Sequence, residues 1–359
     1  MPQRRGQTTE QIMTAADIAA PSAGSRKIRR LAIGIVLFLI VYAGAWFFAA
    51  NQIETRLAAF LTEKKASGSS AECDGMSVRG FPFRIGLFCD SVRLDNISRG
   101  ASASFGALRS AAQVYRPGHA IVELDGPAEI RFSPGMTVSA DWELLHASVQ
   151  ATLSGLDRTS LTYDKLAGTA MLPSFDDDAA PGDTHKFIFS AGHGEAHLRQ
   201  NGSDLDAALS VDQFDLKFDK GLSLLPLINA SADMTLVDRA NLMERGGWKP
   251  DALRGSKGEM RNLTLDLGNG MVTSASGPFT VNDQGLISGE FSVTMKNIEG
   301  WRQNLVKVFP DKDGTVMVNN IANMLTALAD GKNEATVKLN VRDGIAFLAF
   351  FPIGELPQL

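Results

Sequence analysis

Residues 204–218 read DLDAALSVDQFDLKF. Leu205, Ala207, Leu209 and Val211 alternate with Asp204, Asp206 and Ser210, the period of two that wets one face of an extended strand and dries the other. The apolar phase then slips by one, to Phe214, Leu216 and Phe218. One extra residue must be absorbed near Asp212–Gln213, which a β-bulge or turn does. The alternation recurs at Ala147, Val149, Ala151 and Leu153, and at Leu263, Leu265 and Leu267. Phe291, Val293 and Met295 repeat it, as do Val337, Leu339 and Val341. Strands of this kind belong to antiparallel sheets. Turn residues agree: VNDQGLISG (281–289) and Asp343-Gly344 each read as a hairpin.

Helical spacing is confined to short pieces. Ile321, Met324, Leu325 and Leu328 make an amphipathic helix of NNIANMLTALAD, and Trp301, Leu305 and Val308 mark one face of GWRQNLVKVF (300–309). GLSLLPLINA (221–230) suggests a third helix, interrupted by Pro226. The expected fold is mainly β, a β-rich α+β class. A curved antiparallel sheet carries a few short helices, and its apolar face is either covered by them or left open as a groove. Periodicity cannot choose between these, because both need the same alternation.

Residues 31–50, LAIGIVLFLIVYAGAWFFAA, carry no charge. Twenty residues of helix at 1.5 Å each match a hydrocarbon core of ~30 Å. The run is longer than a signal-peptide core and ends in a poor cleavage site, with Phe48 at −3. It therefore reads as an uncleaved signal anchor. Arg26, Lys27, Arg29 and Arg30 precede it, so the N-terminus is expected inside and the body outside. Four segments follow: a disordered cytoplasmic tail (1–30), the anchor (31–50), a juxtamembrane helix or stalk (51–66) and a β-rich domain (67–359). The expected address is the bacterial inner membrane, single-pass, with the body in the periplasm.

The net charge of −5 is uneven. Residues 1–30 hold six basic and two acidic side chains, +4, which leaves −9 for the rest. So acidic a body excludes nucleic acid as a partner.

Chemistry-bearing motifs are sparse. In HGEAH (193–197), His193, Glu195 and His197 would point the same way on a strand, as three candidate metal ligands. The spacing is not H-E-x-x-H, and no fourth ligand clusters nearby, so a polar strand face is the preferred reading and no metal or other cofactor is expected. There is no G-x-S-x-G, no phosphate-binding G-x-x-x-x-G-K-[ST] and no C-x-x-C. The chain is read as a non-enzyme. SFDDDAAPGDTH (174–185) reads as a solvated acidic loop, without EF-hand spacing.

Both cysteines of the chain lie in CDGMSVRGFPFRIGLFC (73–89). Outside the cytoplasm a disulfide persists. Folding back about Phe81, with Gly80, Phe81 and Pro82 in the bend and Phe83 and Arg84 leaving it, opposes residues whose numbers sum to 162. Cys73 and Cys89 satisfy that sum and are expected to bond.

An order of short motifs carries a resemblance: GFPFR (80–84), YRPGHAIVELDGP (115–127), ADWELLHASV (140–149) and the closing VRDGIAFLAFFPIGELPQL (341–359). Behind an N-terminal anchor, they resemble the alphaproteobacterial domain-of-unknown-function family two-one-two-five. The pattern SASGPFTVNDQGLISGEFSVTMKNIEGW (274–301) is similar to repeats of AsmA-like envelope proteins. Those likenesses imply an inner-membrane-anchored, lipid-facing β-sheet in envelope maintenance, with phospholipid or another acyl chain as ligand. They bring no catalytic residues. The alternative is a structural or assembly module that recruits other envelope proteins, and a metal-dependent enzyme resting on HGEAH is the remote third reading.

Overall fold

The computed structural model describes residues 23–66, 69–97, 100–132, 135–174, 183–218, 223, 225–244, 251–329 and 331–359. Residues 1–22 of the expected disordered tail (1–30) and the centre of the acidic loop (175–182) lie outside the described residues, whereas residues 23–30 are helical rather than disordered, because the helix that spans the apolar run begins ahead of it. Two compact units divide at Ala49/Ala50.

Helix α1 (Ala23–Ala66) runs unbroken through the apolar segment and the expected stalk. Its stretch Arg26–Thr62 is long and apolar enough to cross a membrane, and almost none of its most apolar window is buried by protein. The described strands form one antiparallel sheet of 20. In chain order they are β1 (Ser69–Asp74), β2 (Ser77–Arg79), β3 (Arg84–Cys89), β4 (Ser91–Asn96), β5 (Ala101–Phe105), β6 (Leu108–Gln113) and β7 (Arg116–Leu124). Then come β8 (Ala128–Phe132), β9 (Met136–Asp141), β10 (Leu144–Ala151), β11 (Leu156–Pro173), β12 (Thr184–Asn201), β13 (Asp204–Phe218) and β14 (Ile228–Val237). β15 (Lys257–Asp266), β16 (Val272–Val281) and β17 (Ile287–Lys296) lead to helices α2 (Ile298–Val308) and α3 (Lys312–Leu328). The chain closes with β18 (Glu334–Arg342), β19 (Ile345–Leu348) and β20 (Phe351–Glu355).

A crease explains the register. β1 and β2, β3 and β4, β5 and β6, β7 and β8, and β9 and β10 are halves of long strands, each pair separated by one to three residues. Hydrogen bonds tie these breaks together: Asp90 N donates to Asp74 O (2.7 Å), Gly106 N to Asp125 O (3.0 Å) and Glu143 N to Asp164 O (3.0 Å). The line continues through Lys165 and Gln213, both at positive φ. Gln213 is the slip read from DLDAALSVDQFDLKF, where the β13–β14 register shifts between Val211 and Phe214. The crease calls for glycine: Gly75 has φ 62°, and a Cβ on Gly106 would lie 2.5 Å from the backbone oxygen of Gly126.

The slip at Gln213 has a consequence for the faces. Phe218 faces Phe187, and Phe214 faces Ile228. Ile228 shares its side with Ala230 and Ala232, and Ala232 faces Leu209. Directly opposed residues lie on one face, so apolar residues on both sides of the crease share a single face of the sheet.

The Cys73–Cys89 disulfide forms, with Cα atoms 5.2 Å apart. The register sum of 162 does not hold: Cys73 faces Val92 and Ser77 faces Phe88, a sum of 165. The cysteines meet because the crease at Gly75–Met76 and Asp90 brings diagonal neighbours together. Gly80 (φ 121°), Phe81 and Pro82 form the bend, as expected, and Arg84 N closes it on Gly80 O at 2.9 Å.

Two other expectations change. Among the described residues of 221–230 there is no helix: Ser223 bridges Lys217, and β14 begins at Ile228. Pro226 breaks the run, and Leu225 and Ile228 pack on Leu267, Met271 and Trp301 instead. IAFLAFFPI (345–353) forms a hairpin, turning at Ala349 (φ 55°) with Phe350 and Phe351 exposed. The alternation at 147–153 stops at Ala151, and Leu153 stands in solvent.

The other two predicted helices form. Asn297 caps α2 by accepting from Gly300 N, and Asp311 caps α3 by accepting from Gly314 N. Their apolar sides, with Ile298, Ala322 and Leu325, pack on Ala335, Val337 and Leu339 of β18.

Asp206 is the buried charge of the sheet. Its carboxylate accepts from Arg199 Nη2 (2.6 Å), Thr235 Oγ1 (2.7 Å) and Arg261 Nη1 (3.2 Å). The Arg199 hydrogen bond, helped by Thr235 and Arg261, lowers its pKa to about 2. Against ~3.9 for a free aspartate, that contributes about 2 kcal/mol, present above pH ~4 and lost as pH falls toward 2. Urea unfolding of Asp206→Asn should lack that acid slope and start from a lower midpoint. An unchanged slope would contradict the assignment.

Candidate functional site

The two faces of the sheet can be read row by row from directly opposed residues. One row runs Arg109, Glu123, His146, Thr162, Glu195, Ser210, Ser231, Thr264, Ser274, Thr294 and Thr336, polar at every strand from β6 to β18. The adjacent row, on the other face, runs Val122, Ala147, Leu161, Ala196, Leu209, Ala232, Leu263, Ala275, Val293 and Val337. At ~4.8 Å per strand it is ~43 Å long. Between Val122 and Ala275, large and small side chains alternate, so the leucines stand as ridges over alanine furrows.

This apolar face is neither wholly covered nor wholly open. At the β18 end, α2 and α3 lie on it. Along one margin, Leu242 and Met243 of a short 3-10 helix (Ala240–Met243) pack with Leu205, Leu236 and Phe279. Along the other, Trp301 of α2 packs with Leu265, Leu267 and Met271. Among the described residues, none lids the strip between these margins: Leu161 is 38%, Leu209 48% and Leu263 41% exposed. Four strand spacings, ~19 Å, separate Leu161 from Leu263. That exceeds the ~15 Å that one leaflet of acyl chain spans in a ~30 Å core.

Across the crease the apolar face continues as Ala71, Leu94, Ala103, Ile130, Val138, Ala170, Phe187 and Phe218. A cavity of about 370 Å³ opens there, lined chiefly by Phe60 of α1, Ala71, Leu94, Ala103, Ile130 and Phe132. The Phe187 and Phe218 rings touch, centroids 5.1 Å apart.

Tyr163 lies across β12 at Gly194, whose built Cβ would sit 2.2 Å from the ring. Burial raises the Tyr163 pKa. Gly194→Ala should cost about 1–3 kcal/mol by overpacking. Tyr163→Leu in the same chain should recover most of it, read from chemical-denaturation midpoints, whereas additive losses would exclude this contact.

His193, Glu195 and His197 of HGEAH lie on the polar face of β12. His193 and His197 both bond Glu195, through Nε2 at 3.2 and 2.9 Å, while their Nδ1 atoms bond Asp164 Oδ1 (2.6 Å) and Ser160 Oγ (2.9 Å). Bonds to Asp164 and then Glu195 raise the His193 pKa. The three residues share a face as expected, yet their ring nitrogens are spent on one another and on β11. No group of potential metal ligands gathers among the described residues. The arrangement is a hydrogen-bonded polar ladder.

A long apolar helix, one open antiparallel sheet with a wet and a dry face, and a disulfide together define a class: a candidate membrane-anchored β-sheet protein suited to an oxidising compartment. The family model described as "Uncharacterized protein conserved in bacteria (DUF2125)" matches residues 46–357, and the chain belongs to that family. No curated protein and no solved structure matches it.

Proposed function

We propose that this chain is a non-enzymatic protein of the bacterial envelope that holds or passes lipid acyl chains along the apolar face of its sheet. The observation that carries the reading is the unlidded strip of Leu161, Leu209 and Leu263 between two packed margins. A soluble core would hide these side chains, and an exposed apolar patch of this continuity marks a binding surface. The furrowed surface offers contact without polar selection, which suits hydrocarbon.

The basic run Arg26–Arg30 before the span favours an inner-membrane anchor with the sheet in the periplasm, and the disulfide agrees with that compartment. Full-length protein, delipidated in detergent, should take up a fluorescent fatty acid saturably, one or a few per chain. Failure to do so would contradict the proposal.

A second reading has its own observation. Between α3 and β20 lies a largely apolar cavity of about 520 Å³, lined in part by Val316, Met317, Ile321 and Phe351, with Phe350 exposed beside Phe351. That end of the sheet suits recruitment of another envelope protein. Crosslinking from Phe350 in intact cells would capture a single partner under this reading.

A further inference from the structure

The two motifs GFPFR and YRPGH are 30 residues apart in sequence, yet the fold makes them neighbours. The turns at 80–83, 114–115 and 152–155 lie side by side at the end of the strands away from Ser69, where β1 begins. Val114 N donates to Phe83 O at 3.1 Å, and the built Cβ of Gly118 would lie 2.4 Å from Ala151 O. From these three tips Phe81 (47%), Phe83 (67%), Tyr115 (69%) and Leu153 (97%) project into solvent.

Charge at this edge opposes that of the body. Residues 79–84 carry +2 from Arg79 and Arg84, and residues 113–119 carry +1 from Arg116. Residues 150–158 balance Asp157 against Arg158, and Glu244, bridged to Gly155, adds −1. The total is +2, so the remainder of residues 31–359 holds −9 − 2 = −11. Protruding phenylalanine, tyrosine and leucine flanked by arginine is the composition that seats a protein in the headgroup layer of a bilayer. The apolar tips stand on separate turns. A fluid interface can accommodate each of them independently, whereas a folded partner would have to match all three turns at once.

We propose that this row of turns docks on an anionic bilayer surface, a membrane contact additional to the span in α1 and independent of any acyl chain on the sheet. Phe83, Tyr115 and Leu153 enter the headgroup layer, and Arg84 and Arg116 meet lipid phosphates.

The test uses the full chain in phosphatidylcholine nanodiscs, mixed with vesicles of phosphatidylcholine alone or with added phosphatidylglycerol. Flotation should recover the chain on the anionic vesicles at least tenfold better, and high salt should abolish the difference. Arg84→Gln with Arg116→Gln should weaken docking about thirtyfold. Phe83→Ser with Tyr115→Ser should weaken it comparably, with unfolding midpoints unchanged. Phe83→Trp keeps an aromatic tip, and its emission should shift to the blue on the vesicles, a readout free of any folding loss. Equal recovery on both vesicle types, or docking untouched by both double variants, would overturn the proposal. So would an unshifted Phe83→Trp emission. Vesicles ignored while a photocrosslinker at Phe83 captures a protein would overturn it in favour of a protein partner.

Discussion

A chain carrying Leu161→Ser, Leu209→Ser and Leu263→Ser together should fold normally and bind acyl chains on the order of a hundredfold more weakly. Each leucine is roughly half wet, so a ligand lying on it gains about 1 kcal/mol of burial. Three such losses amount to about 3 kcal/mol, or two decades of affinity. Stability should move little, because exposed substitutions cost ~0.5 kcal/mol or less each. Ser231→Ala, on the opposite face, should leave binding intact. Titration of a fluorescent fatty acid, with a urea melt of the same preparation, separates the two quantities. Undiminished binding in the triple variant would remove the open strip as the site. Reduced binding with a collapsed midpoint would show that the leucines are core.

The second large effect concerns the crease. Cys73→Ser with Cys89→Ser should cost about 3 kcal/mol, the loop-closure value for a sequence separation of 16. The loss should be local first. Among the described residues β1 pairs in the sheet only with β4, and β2 only with β3, so this edge depends on the staple. Hydrogen exchange should quicken in Ser69–Asn96 before any change in β11–β17. Reduction of the native chain should reproduce both results. An identical midpoint with and without reductant would mean that the crease holds without its covalent link.

Much of this architecture was legible in single stretches. Alternation located strands β10, β13, β15, β17 and β18, and the one-residue slip at Asp212–Gln213 was visible because Phe214, Leu216 and Phe218 are large. The same slip in β11, β12 and most of the paired half-strands was hidden. There the apolar face uses alanine and glycine, as at Ala71, Ala103, Ala170 and Gly194, which carry little periodic signal. A hairpin sum of 162 assumed a regular ladder, and a crease violates that assumption. The acid–base ladder of HGEAH needed its β11 partners, Ser160 and Asp164, which lie more than 25 residues away. Whether the dry face has a lid depends on where α2, α3 and the 3-10 helix settle. That is a tertiary outcome that no local pattern encodes.

Leu209 and Ser210 are neighbours on β13 that point to opposite faces, one to the open apolar strip and the other to the polar row. A photoreactive phenylalanine at each position in turn, irradiated in intact cells, therefore compares the two faces at one depth in one strand. A lipid adduct is expected at 209 and none at 210, read as a mass shift of the purified chain. Adducts of equal yield at both positions, or none at 209, would contradict it.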